Sequence, residues 1–522
     1  MARCGPVPYA GGMAAPRLCA LIAALLLLAV ACSDDGGSPF PTPTTAPATT
    51  EATTPTTLPV TTSAPATTTS APTTTAAGLG PGGLAGLGDP YFPTLGNGGY
   101  DVAHYLIDLT VDPTANVILG EATLDATATA TLDAFHLDLL GLIVDGVSVD
   151  GARATFTREA AELVVDPEGL IPAGEGFTVT VTYHGTPEVL DTLGFPLGWV
   201  DAGDITYVVA EPDAARTWFP GNDHPADKAA FTFRITVPAG LTVAANGTLA
   251  DTIDGDGTTT FVWEMAQPMA TYLATVVIGD LVRIERPGPG GVLLRDYLPA
   301  DMGGTLPGPL ARVDEMLAFF AGLFGPYPFA EYGHAVVPDV PGALEDQTLC
   351  IFGRVVLESY RPGFGEPTLE EIVAHELSHQ WYGDSVSPAT WADIWLNEGF
   401  ATFAQWLWVE HDRGRAAYDA TIAGNYAFLA EAPHPVPGDP GPSGEDLFGF
   451  SVYLRGGLTL HALRAELGED TTLAILRGWA ERHAYGNGTT AEFIALAEEM
   501  SGADLEALFD AWLFQADMPP LP

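Results

Sequence analysis

From Tyr100 to about Ile284 apolar and polar positions alternate with a period of two. Leu124, Ala126, Ala128, Ala130 and Leu132 are interleaved with Thr123, Asp125, Thr127, Thr129 and Thr131. Phe177, Val179, Val181 and Tyr183 alternate with Thr178, Thr180, Thr182 and His184, and Phe231, Phe233, Ile235 and Val237 with Thr232, Arg234 and Thr236. Successive side chains of a strand point to opposite faces, so these runs predict half-buried strands. Their number, with Gly, Pro and Asp turns between them, predicts an all-β domain over residues 89–286. After a Pro and Gly cluster at 287–291 the spacing becomes helical, with Val313, Met316, Leu317, Phe320 and Phe324 on one face until Gly325-Pro326. Two short strand-like runs near Ala335 and Leu349 follow, then helices dominate. The expected fold is multidomain α+β, an N-terminal all-β domain followed by a mainly helical second domain, 287–522, with a small mixed sheet.

The first 88 residues read differently. Arg3 and Arg17 precede an apolar run, Leu18 to Val30, that is too short for a comfortable membrane span and ends at Ala31-Cys32. Residues 1–32 are expected to be a secretory signal, starting at Met1 or Met13. The stretch Leu28 to Cys32 resembles the lipobox of bacterial lipoproteins, which implies lipid on Cys32 and attachment to the outer face of the bacterial plasma membrane. Residues 33–88 are rich in Thr, Pro, Ala and Gly, cannot bury a core, and are expected to form a disordered tether. Beyond the signal and Cys32, only Cys350 is left, so no internal disulfide is expected.

Charge narrows the partners. With 66 Asp plus Glu against 19 Lys plus Arg, the net charge of −47 excludes nucleic acid held through its phosphates.

The candidate chemistry lies in the second domain. Thr368, followed three residues later by Glu371, predicts a capping box and a helix running through His375-Glu376-Leu377-Ser378-His379 toward Gly383. An i, i+4 spacing sets His375 and His379 on one face, where two imidazoles reach one zinc ion while Glu376 addresses its water. A catalytic zinc needs a third protein ligand. Residues 391–411 read as a second helix bearing Asn397-Glu398-Gly399-Phe400, with Glu398 after eighteen intervening residues.

These motifs resemble those of the zinc aminopeptidase family of aminopeptidase N and leukotriene hydrolase, the gluzincin metallopeptidases. The resemblance extends to Glu211-Pro212-Asp213 through Trp218-Phe219-Pro220, to Gly342-Ala343-Leu344-Glu345-Asp346, and to Tyr453-Leu454-Arg455-Gly456-Gly457. It implies a thermolysin-like catalytic domain, in a short form without the large helical C-terminal domain, and one Zn2+ per chain held by His375, His379 and Glu398. It implies Glu376 as general base, Tyr453 as the phenol that steadies the oxyanion, and Glu345 and Glu211 as carboxylates that bind a substrate's free α-amine. Gly342 and Ala343 would pair with the extended substrate backbone. The expected function is therefore removal of the N-terminal residue from peptides. A peptide-binding surface lipoprotein without turnover, or an endopeptidase or epoxide hydrolase on the same fold, are the alternatives. Three positions depart from the family pattern: Leu344 replaces Met, Asp346 replaces Asn and adds a negative charge near the amine pocket, and Arg455 stands where Lys is usual.

Overall fold

The computed structural model describes residues 83–359 and 366–522. The three alternating runs become the strands Val117–Ala128, Gly176–Gly185 and Ala229–Pro238, each with its apolar set turned inward. They lie in an eight-stranded sheet ordered Thr248–Asp254, Thr258–Met269, Ala229–Pro238, Tyr100–Asp112, Val117–Ala128, Gly176–Gly185, Ile143–Val149, Ala152–Arg153. Only Tyr100–Asp112 and Ala229–Pro238 run parallel, in a register that stacks the rings of Tyr105 and Phe231. The strand from Val117 stops at Ala128, short of the alternation's end, and Leu132 instead bridges Ile171. A second, five-stranded sheet includes Ile205–Val209, buried at every position, and Glu211 follows directly from it.

The second unit is built on a six-stranded mixed sheet in the order Leu281–Pro287, Leu293–Pro299, His334–Val337, Cys350–Gly353, Ala343–Leu344, with Glu331–Tyr332 beside Leu293–Pro299. Ala343–Leu344 is therefore an edge strand. Leu281–Pro287 pairs along its whole length with Leu293–Pro299, so this strand lies in the sheet of the second unit. The alternation of Leu281–Pro287 matches that of the strands before it, which is why pattern alone assigned it to the first domain.

Helices α1 (Val313–Phe324), α2 (Glu366–His379), α3 (Trp395–Arg413), α4 (Arg415–Ala430), α5 (Gly456–Leu467), α6 (Glu469–Arg482) and α7 (Thr490–Ser501) make up most of the rest. Helix α2 already includes Glu366, so Thr368 lies inside its first turn and is not its cap. Glu371 instead accepts hydrogen bonds from Gln405 and Arg413 of α3, tying the two helices together. Helix α3 begins at Trp395 after a separate 3-10 turn, Trp391–Asp393. Trp381, Trp391, Trp395, Trp406 and Trp408 are all buried around this pair.

The folded part begins earlier than composition suggests. Gly86 N–H donates to Gly96 O at 2.8 Å and Gly98 N–H to Leu84 O at 3.2 Å, so residues 83–88 are not part of a tether. Gly86 has φ +80, and a Cβ there would sit 2.2 Å from Pro93 O, which explains why a glycine-rich stretch packs here. The signal, Cys32 and the rest of the tether lie outside the described residues. Among the described residues no helix is long and apolar enough to cross a membrane.

Candidate active site

Helix α2 sets His375 and His379 one turn apart, with ring centroids separated by 4.7 Å. Glu398, in the first turn of α3, brings Oε2 to 3.2 Å from His375 Nε2 and 3.5 Å from His379 Nε2. All three side chains are buried. Their candidate ligand atoms lie within 4.8 Å of one another, close enough to share one ion. His379 Nδ1 is 3.0 Å from Tyr382 O, so Nδ1–H donates to that carbonyl and leaves the Nε2 lone pair turned toward Glu398. Two imidazole nitrogens and one carboxylate, with the outer nitrogen of one ring already fixed, form the donor set of a catalytic zinc that keeps a coordination position open.

Two further buried groups overlap this one, Glu345 with Glu376 and His379, and Glu211 with Glu345 and Glu398. The second of these is all carboxylate. Glu211 Oε1 and Glu345 Oε1 are buried and have no hydrogen-bond partner among the described residues, so both present acceptors to whatever enters. A protonated amine, with several strong donors, fits such a set.

The electrostatics follow from crowding acids in a dry place. Burial, then the charges of Glu345 and Glu398, push Glu211 well above the carboxylate range. Glu376 is likewise pushed far up, by burial first and then, against the pull of His379, by Glu345 and Glu398. Glu398 goes the other way: burial opposes its charge, but the two imidazoles outweigh that and hold it at about 2. Burial also works against a proton on His379, yet Glu345 and Glu398 raise it well above its ordinary value. The field that does so is negative enough to draw in a cation.

Tyr453 sits on a π-turn, Ser451–Arg455, with its ring nearly parallel to that of His375 at 5.8 Å between centroids. Its hydroxyl has no hydrogen-bond partner among the described residues. What brings this turn to the metal helices is a pair of glycines: a Cβ on Gly399 would lie 2.9 Å from the backbone of Gly456, and the reverse holds for Gly456. The glycine after Glu398 and the first glycine after Arg455 thus permit one backbone contact.

Gly342 and Ala343 divide the expected backbone role unequally. Gly353 N–H donates to Gly342 O at 2.9 Å, and Ala343 stands opposite Phe352 in antiparallel register. Antiparallel pairs alternate between bonded and non-bonded, so Gly342 faces its partner strand and Ala343 turns its N–H and C=O to the open edge. Asp346 is buried behind them, raised well above its ordinary value by burial and by Glu345, Asp384 and Glu376.

Several contributors were not visible as functional in the sequence. Gln380 donates to Glu345 O at 3.0 Å and to Asp384 Oδ2 at 2.6 Å, and accepts from Thr348 N at 2.9 Å and Tyr327 OH at 3.0 Å. It locks the Glu345 strand to the end of α2. Tyr272, from the β unit, donates to Gly383 O at 3.3 Å and accepts from Asn397 Nδ2 at 3.3 Å. The only local signal was adjacency, since Gln380 follows His379 and Asn397 precedes Glu398.

Comparison with known proteins agrees with this geometry. The peptidase M1 N-terminal domain matches residues 101–273 and the peptidase family M1 domain matches residues 309–512. Aminopeptidase 2 of Candida albicans is 27% identical over 451 residues, covering 80% of this chain and 47% of that protein. Aminopeptidase M1-C of Oryza sativa subsp. japonica is 28% identical over 447 residues, covering 80% and 49%. The chain thus spans about half the length of these curated relatives. A solved M1 zinc metallopeptidase from Deinococcus radiodurans, a Glu-to-Ala variant bound to a Tyr-Ser-Ala substrate, superposes with a TM-score of 0.76 at 34% identity, covering 84% of this chain and 99% of that one. A two-domain M1 zinc metallopeptidase variant bound to L-arginine superposes with a TM-score of 0.76 at 33% identity, with the same coverage. With both domains matched and a donor set that fits zinc, the chain belongs to peptidase family M1.

Proposed function

We propose that this protein is a zinc-dependent aminopeptidase that hydrolyses the first residue from peptides with a free N-terminus. One observation carries the reading: two buried carboxylate oxygens without hydrogen-bond partners among the described residues, on Glu211 and Glu345, lie beside the His375, His379 and Glu398 set. An endopeptidase has no use for two acids that stop the chain at its amine.

His375, His379 and Glu398 would hold one zinc ion, which would supply Lewis acidity. Glu211 and Glu345 bind the substrate ammonium by charge-assisted hydrogen bonds and so measure off one residue. The Ala343 edge pairs with the extended backbone, as in strand addition, and holds the first peptide bond in place. Glu376, whose proton affinity is raised by burial, takes a proton from the attacking water and delivers it to the leaving amine. The Tyr453 hydroxyl, kept protonated by burial and the surrounding acids, donates to the carbonyl oxygen as it gains charge. The bound Tyr-Ser-Ala of the Deinococcus relative supports short peptides as substrates.

The test is release of free amino acid from short peptides with free or acetylated N-termini, before and after a chelator and after zinc is restored. Release from free termini only, lost and regained with the metal, is expected. Equal cleavage of acetylated peptides would make the protein an endopeptidase, and zinc binding without hydrolysis would make it a peptide-binding protein.

We also propose attachment to the outer face of the bacterial plasma membrane through lipid on Cys32, supported by the charge and apolar pattern of residues 1–32. Incorporation of labelled fatty acid, lost in Cys32→Ala, tests it; equal labelling of the variant refutes it.

A further inference from the structure

We infer that Arg455 positions the Tyr453 phenol by clamping the chain's terminal segment, 511–517, to the turn that carries both residues. This inference rests on the aminopeptidase reading and adds a role for a segment far from the metal in sequence.

Arg455 is fully buried, and among the described residues no carboxylate pairs with it. Its partners are backbone carbonyls alone. Nε donates to Trp512 O at 2.8 Å, and Nη2 is shared among Ala511 O at 3.0 Å, Gln515 O, and Asp517 O at 3.3 Å. These oxygens belong to or follow the π-turn Asp510–Phe514, the kind of helix end whose last carbonyls lack partners within the helix. A planar guanidinium with donors on separate nitrogens spans four such oxygens. A lysine ammonium offers three protons from one point and cannot. The departure from the family's usual Lys therefore matches what the terminal segment presents.

The clamp acts on Tyr453 because nothing soft lies between them. Tyr453 and Arg455 occupy the same five-residue π-turn, and Gly456 N–H closes it by bonding to Ser451 O. One flank is fixed by the contact of Gly456 with Gly399, next to the metal ligand Glu398. The other is fixed by Arg455. The terminal segment is itself anchored, since Gly438 N–H donates to Leu513 O at 3.0 Å. Tyr453, with a hydroxyl free of protein partners among the described residues, depends on its backbone for placement, and an error of about 1 Å at such a donor costs on the order of a hundredfold in rate.

The experiment is a double-mutant cycle in the full chain with zinc bound. Arg455→Met and Arg455→Lys are each made alone and with Tyr453→Phe, and kcat, KM, zinc content and thermal midpoint are measured. Arg455→Met is expected to lower kcat about ten- to a hundredfold, with KM within about threefold and zinc content unchanged. Arg455→Lys keeps the charge without the fork and is expected to fall in between. In the Tyr453→Phe background both should cost less than about twofold more. Losses that multiply in that background overturn the inference, as does full kcat in Arg455→Lys, which answers the case where Arg455→Met fails to fold. If Tyr453→Phe itself keeps the parent rate, the assignment of Tyr453 in the aminopeptidase reading fails and this inference falls with it. If Tyr453→Phe is impaired and the effects are independent, only this inference fails.

Discussion

Lys228 Nζ lies 2.6 Å from the backbone oxygen of Asp384, and it also donates to Ser385 O at 3.0 Å and Gly486 O at 3.3 Å. Lys228 is the only lysine of the chain and belongs to the β unit, whereas its acceptors belong to the peptidase unit. The segment it grips also supplies Tyr382 O to His379 Nδ1. The β unit thus reaches His379, a proposed zinc ligand, through one ammonium and one short segment. Lys228→Met is expected to weaken zinc binding about tenfold, the low end for loss of support behind a metal ligand. Competition of the metal-free protein with a chelating dye measures this, and an unchanged affinity would remove Lys228 from the metal's support.

Glu376 is next to His375, a proposed zinc ligand, but its carboxylate makes no hydrogen bond to protein among the described residues, which leaves it available to a reacting water. Glu376→Gln keeps the size and removes the base. Zinc content should stay at one per chain while kcat falls by about a hundredfold to ten-thousandfold. Bound metal measured by atomic absorption, beside turnover of a free-amine peptide, separates loss of the base from loss of the ion. A variant with near-parent kcat would strip Glu376 of its role.

The parts of the site that could be read in the sequence are those held by a local period. His375, Glu376, His379 and Glu398 sit on two helices whose spacing dictates which side chains face together, and they do converge. Glu211 and Glu345 had no such signature. Alone they read as turn or edge acids, and only their resemblance to family motifs singled them out, because their partners are each other, across 134 residues of chain. Gln380 and Tyr272 were illegible as functional for the same reason: each acts through a backbone carbonyl, and carbonyls leave no mark on composition. The fold was legible where alternation was regular, as in Gly176–Gly185. It misled where a strand kept the pattern but changed sheets, as at Leu281–Pro287, or where glycines that looked like a linker pack closely, as at Gly86.

The two amine-facing acids make a prediction that separates binding from chemistry. Replacing Glu345 or Glu211 by Gln keeps one acceptor and removes the charge that meets the ammonium. A hydrogen bond to a charged group contributes about 1.5–3 kcal/mol, so kcat/KM for free-amine peptides should fall about ten- to a hundredfold, mainly through KM. Zinc content and thermal midpoint should not change. A loss of bound zinc or of thermal stability beside the kinetic loss would show that these acids support the metal or the fold instead of the amine.

Acid crowding also fixes how stability depends on pH once the metal is stripped. Burial first, and then mutual repulsion, raise Glu211, Glu376, Asp346 and Asp384 well above their ordinary values, and Glu345 is raised as well. Above about pH 4 the unfolded chain has lost these protons while the fold still holds them, so the fold binds more protons and its stability falls as pH rises. Glu398, held at about 2, has the opposite sign, but its contribution is lost only between about pH 4.5 and 2 and stays constant above that window. The two histidines oppose each other: His379 is raised and adds to the loss, whereas His375, lowered by burial, subtracts from it. Five raised carboxyls therefore decide the sign. The metal-free protein is expected to lose thermal stability as pH rises above about 4.5, the ordinary carboxylate value. Zinc needs its ligands deprotonated and offsets the repulsion among the acids, so the gain in Tm on adding it should grow over the same rise. Thermal melts of the stripped and reloaded protein over that range measure both effects, and a metal-free Tm that rises with pH would mean the acids are far less crowded in solution than their burial requires.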